Sequence, residues 1–181
     1  MAIRVVKPSR AAMEKCIARF DDIKGVSEGI PDMKLEEYHR TFYSVIGFEQ
    51  PKGDDQYSPF GDAVRPVINH MKPGFGIAFV KATPGHGAPM HAHDTHETFM
   101  VVEGKWRLEW EGADGKEHVI LGPKDFICFP IGVQRRFICE QPAPGKTEGV
   151  LLGIITGDEP AVEYSPEVRD QLIGAGILQP F

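Results

Sequence analysis

Between Pro66 and Thr156 turn-forming residues recur so closely that little room is left for a helix of ordinary length. The segments between these turns are short runs rich in apolar, aromatic and β-branched residues. They read as strands over 67–71, 75–82, 89–93, 97–103, 106–111, 117–121, 126–129, 134–140 and 149–156. Ala113-Asp114-Gly115, between two alternating runs, marks a hairpin, and Glu103-Gly104 marks another. Many short strands without intervening helices make an antiparallel sandwich or a small barrel. The 20 glycines and 15 prolines are spread along the chain, which fits that reading and not a helical bundle.

The flanks differ from this body. Residues 9–20 suit a short amphipathic helix, with Ser9 as N-cap and Met13, Ile17 and Phe20 on one stripe. Residues 21–37 are polar and hold Gly25, Gly29 and Pro31, which suits a loop with one helical turn. Residues 40–46 read as a strand that adds to the sheet of this chain or of a partner, and 49–65 as loop. Near the end, Ser165-Pro166-Glu167 looks like N-cap, N1 and first-turn acid of a helix running to Ile173, with Gly174 just past it. The expected organisation is therefore an N-terminal extension over 1–65, a barrel over 66–156 and a C-terminal tail over 157–181.

One segment carries chemistry: Gly85-His86-Gly87-Ala88-Pro89-Met90-His91-Ala92-His93-Asp94-Thr95-His96-Glu97. His91 and His93 are two apart, so on a strand both imidazoles leave the same face. Asp94-Thr95-His96 suits a turn, after which Glu97 opens an apolar strand and returns a carboxylate to the same place. Two imidazoles and a carboxylate form a facial set for a divalent metal such as Fe, Mn, Ni or Zn, with positions left open.

Gly85, His91, His93, Glu97 and Gly104 stand at the spacings of the first sequence motif of the cupin superfamily, which this segment resembles. The second cupin motif is matched by Asp125, Pro130 and Gly132, but Lys124 stands where its first Gly belongs and Arg135 where its His belongs. The resemblance covers about residues 66–156 and implies a jelly-roll β-barrel; the whole chain is then all-β with short helices at both ends. In metal-binding members that missing His is usually the fourth ligand. Arginine cannot replace it, because guanidinium stays protonated and only donates.

Three arrangements follow. His91, His93 and Glu97 hold a metal while Arg135 binds an anionic group on a substrate. Alternatively Arg135 pairs with Glu97 and takes the place of the cation in a metal-free pocket. In the third, His86, His96 or His118 completes the shell. Phe99 and Phe137 share strand-face parity with Glu97 and Arg135, which makes them expected pocket walls along with Arg135 as substrate-binding residues. Trp106, Leu108 and Trp110 share one face and read as core, and Cys128 and Cys139 as buried thiols.

Composition narrows the class of function. The 181 residues are 41% hydrophobic and 25% charged, enough for a sizeable core, with a net charge of −6. With a pI near 5.6 and no basic cluster beyond pairs such as Arg135-Arg136, a nucleic-acid partner is not expected. No apolar run is long enough to span a membrane, and the start lacks a signal-peptide core. Three scattered cysteines fit a reducing compartment, so a cytoplasmic location is expected. The function these features suggest is a small metalloenzyme of dioxygenase, isomerase or decarboxylase type, acting on a small anionic organic molecule. The other class is a non-catalytic ligand-binding barrel, metal-free or metal-assisted. Dimerisation through a sheet edge is expected from the resemblance.

Overall fold

A computed structural model describes residues 3–47 and 65–179. Among these residues ten strands form two five-stranded sheets. The strands are β1 (Thr41–Ile46), β2 (Phe75–Ala82), β3 (His91–His93), β4 (Glu97–Glu103), β5 (Lys105–Gly112), β6 (Gly115–Leu121), β7 (Phe126–Phe129), β8 (Arg135–Gln141), β9 (Gly149–Thr156) and β10 (Val162–Tyr164). One sheet has the order β1-β2-β9-β4-β7 and the other β10-β3-β8-β5-β6. All their pairings are antiparallel. This is the expected all-β jelly roll with short helices at its ends. Among the described residues no helix is long and apolar enough to cross a membrane.

The core lies between the sheets. Val80, Phe99 and Leu151 from one sheet and Trp106, Leu108 and Phe137 from the other belong to one buried cluster. The rings of Phe99 and Phe137 meet edge-on across the gap, 5.0 Å between centroids. Period-two burial in β1 and β2 is what places one face of each strand in this core.

Two turns show why particular residues stand where they do. Gly104 has φ +84°, and a Cβ there would lie 2.4 Å from the carbonyl oxygen of Gln141, so the β4–β5 turn needs glycine on both counts. Lys124 takes the place of a glycine in the second motif and keeps glycine's left-handed conformation at φ 76°. Its backbone N–H donates to Val101 O at 2.8 Å, which holds the strained residue in place.

Several local expectations need correction. The segment 67–71 is not a strand: Val67 and Ile68 donate to Ser44 and Val45, and a single bridge forms before the chain leaves toward Pro73. The N-terminal helix α1 is only Arg10–Glu14, not 9–20, and buries nothing. Met13 and Ile17 remain 46% and 41% exposed, so no packing supports further turns. Phe20 packs instead from a 3-10 turn against Tyr43 and Phe79. Residues 21–37 contain more than one helical turn, with 3-10 turns at Pro31–Lys34 and Glu36–Tyr38. Cys139 is buried, but Cys128 is exposed on the outer face of β7, at the edge of its sheet. Strand β1 pairs with β2 of this same chain. Helix α2 (Pro166–Gly174) is capped by Ser165 as expected and includes Gly174. The loop expected over 49–65 lies outside the described residues except for Arg65.

Candidate metal centre

The segment 91–97 is divided between the two sheets. His91 and His93 lie on β3, and Glu97 opens β4 in the facing sheet. The turn Asp94–His96 carries the chain from one to the other. Asp94 anchors it by accepting from the Ala161 N–H at 2.9 Å. The three side chains therefore meet between the sheets, all buried. His91 Nε2 is 3.9 Å from Glu97 Oε2, and His93 Nε2 is 3.7 Å from Glu97 Oε1.

Both imidazoles are oriented from behind. His91 Nδ1 donates to Pro89 O at 2.7 Å and His93 Nδ1 to Ala161 O at 2.5 Å, since a carbonyl only accepts. In the neutral ring this leaves the lone pair on Nε2, directed at Glu97, which is the arrangement a metal-ligating histidine requires. The rings are held neutral. Burial, then the charge of Arg135 and the neighbouring His93, bring His91 down to about 3 against the opposing pull of Glu97. Burial likewise lowers His93, again against Glu97. Burial alone would raise Glu97, but the Arg135 guanidinium and both imidazoles bring its carboxyl below the ordinary range.

Arg135 lies on β8 directly across from His91. It is fully buried. Its Nε and Nη2 donate to Glu97 Oε2 at 3.1 and 2.8 Å, and its Nη1 to Val133 O at 3.1 Å. The guanidinium thus grips one carboxylate oxygen and leaves Oε1 toward His93. The donor set fits a divalent metal: two neutral imidazoles and one ionised carboxylate with an oxygen to spare.

Above the triad is a cavity of about 40 Å³. His91, His93, Glu97, Phe99 and Phe137 all line it, whereas Arg135 stands behind Glu97 and does not. Of the other histidines, His96 and His118 are exposed, and His86 is engaged with Thr83 at 2.9 Å. None of these three joins the cluster.

Over residues 78–150 the chain matches the family profile described as the cupin domain. These residues are a cupin domain. No curated protein sequence matches the chain. Among solved structures it is similar to a putative sugar phosphate isomerase from Acidithiobacillus ferrooxidans, at 21% identity and TM-score 0.53, covering 84% of this chain and 82% of that one. A structure of oxalate oxidase is similar at 17% identity and TM-score 0.52, covering 91% of this chain and 73% of that one. Hazelnut vicilin is similar at 13% identity and TM-score 0.50 over 80% of this chain, which spans 35% of the vicilin chain. These likenesses show the cupin fold.

Three buried polar residues at the cupin cavity escape sequence reasoning: Asp32, Arg40 and Tyr164. Asp32 and Arg40 precede β1, and Tyr164 ends the three-residue β10, where it sits across from His91. None belongs to a motif. The one signal in the sequence is a charged pair, eight residues apart, flanked by the apolar Ile30 and Phe42.

Proposed function

We propose that this cupin is a small-molecule metalloenzyme in which His91, His93 and Glu97 hold one divalent ion, Fe, Mn, Ni or Zn. The observation that carries this reading is the pair of Nδ1–carbonyl hydrogen bonds that turn both Nε2 lone pairs onto one buried carboxylate. Arg135 is then the residue that fixes the Glu97 carboxylate, by two hydrogen bonds to Oε2. A bound metal supplies a Lewis acid at the floor of the cavity.

Charge supports an anionic organic substrate. Glu97 and Arg135 cancel, and the imidazoles are neutral, so the full charge of a divalent ion would stay uncompensated in a low-dielectric pocket. A carboxylate-bearing ligand offsets it. Phe99 and Phe137 would pack against the carbon skeleton of that ligand.

A second reading has its own observation. Arg135 already satisfies Glu97, as a replacement cation in a metal-free, non-catalytic binding barrel would. Elemental analysis of protein purified without chelators separates the two. The first reading expects about one transition-metal ion per chain, lost in His91→Ala. Protein that stays empty after incubation with metals, while Arg135→His loads, overturns it in favour of the second.

A further inference from the structure

The cavity has a second polar wall that the metal triad does not use. Asp32, Arg40 and Tyr164 line it, and they are 1%, 7% and 7% exposed. Arg40 Nη1 donates to Asp32 Oδ2 at 2.5 Å, and the Tyr164 hydroxyl donates to Asp32 Oδ1 at 2.8 Å. Arg40 Nη1 is also fixed on Tyr38 O at 2.8 Å and Gly87 O at 3.2 Å. Its Nε is buried with no hydrogen-bond partner among the described residues. Burial, with Asp32 beside it, raises the Tyr164 phenol above its usual pKa, so the hydroxyl keeps its proton at neutral pH.

Fastening residues 30–42 to the barrel does not require ions. A buried ion pair is often no more stabilising than apolar packing of similar volume. Apolar neighbours such as Ile30, Phe42 and Val80 already supply such packing on the same cavity. What the polar trio adds is the ability to hydrogen-bond a ligand, with a spare arginine donor, a hydroxyl and a carboxylate held in fixed positions.

Charge decides which part of the ligand belongs there. Asp32 and Arg40 cancel, so this wall gives a carboxylate no net attraction. It suits a neutral group that both donates and accepts. The carboxylate itself belongs at the triad, where a metal would leave positive charge. The wall and the triad line the same cavity, and Tyr164 lies directly across from His91 on the neighbouring strand, so a short ligand reaches both. Resting on the function proposed above, we infer that the ligand is a short hydroxy acid whose hydroxyl is recognised by Asp32, Arg40 and Tyr164.

The test is calorimetric binding of two matched pairs, acetate with glycolate and propionate with 3-hydroxypropionate, to metal-free and zinc-loaded protein. In at least one pair the hydroxy acid should bind at least about fivefold more tightly, the size of one buried hydrogen bond. That ratio should fall to about one in Tyr164→Phe and in the charge-neutral double variant Asp32→Asn with Arg40→Gln. Zinc content and the thermal transition of each variant check that the triad and fold persist. Equal affinities within both pairs in the parent protein overturn the inference, as does an advantage that survives both variants, or no binding of any of the four acids. Failure to load zinc with the hydroxyl preference intact overturns the metal reading alone.

Discussion

Replacing Arg135 by methionine tests how the site is held together. Arg135 is fully buried and its partner Glu97 is 7% exposed, so truncation strands a largely buried carboxylate. Two hydrogen bonds to Oε2, at 3.1 and 2.8 Å, are lost with the guanidinium. Breaking a buried pair from one side costs about 3–5 kcal/mol, a large share of the 5–15 kcal/mol that stabilises a typical domain. The Arg135→Met variant in EDTA should therefore show that deficit in urea unfolding followed by tryptophan fluorescence. Adding Glu97→Gln removes the stranded charge, so the double variant should recover at least about 1 kcal/mol relative to the sum of the single losses. Zinc should narrow the gap to the parent, because a dication on Glu97 supplies the charge that Arg135 supplied. A deficit in EDTA below about 1 kcal/mol would refute the reasoning, since an unpaired buried carboxylate cannot be that cheap.

Three further outcomes follow from the structure. His91 titrates at about 3 in the fold and near 6.5 in the unfolded chain, so the unfolded state takes up the proton first as pH falls. Its contribution is present in full above about pH 6.5 and is lost down to about pH 3; metal-free protein should be less stable by about 2 kcal/mol at pH 4.5 than at pH 7 in urea titrations. Lys124→Gly should raise stability by about 0.5–1 kcal/mol, because the left-handed φ of 76° costs lysine what it does not cost glycine; a lower urea midpoint would contradict this. A thiol reagent should modify Cys128 in the native protein and leave Cys139 unmodified until unfolding, as mass spectrometry of the labelled peptides would show.

The barrel was legible because its signals are local. Alternation placed Trp106 and Leu108 in the core, the Ala113–Gly115 turn lies at the junction of β5 and β6, and each strand was bounded by its own turn residues. The i, i+2 spacing of His91 and His93, with a turn before Glu97, was enough to bring the three together, because strand geometry and one short reversal set all their directions. Where a signal depended on a partner, reading failed. Residues 67–71 have strand composition but no adequate ladder, and α1 has a stripe with no surface to bury it. Cys128 sits in an apolar run on an edge strand, where composition does not say which face is covered.

Sequence by itself determined the β-rich body, the grouping of His91, His93 and Glu97, and the presence of an arginine where the second motif has its histidine. Tertiary structure decided what that arginine does, since only the approach of β8 to the facing sheet brings Arg135 onto Glu97, 38 residues away. It also decided that Asp32 and Tyr164, 132 residues apart, meet on one cavity wall. Local periodicity fixes the direction of a side chain relative to its own strand; which distant groups then share a low-dielectric space depends on how the sheets close over one another.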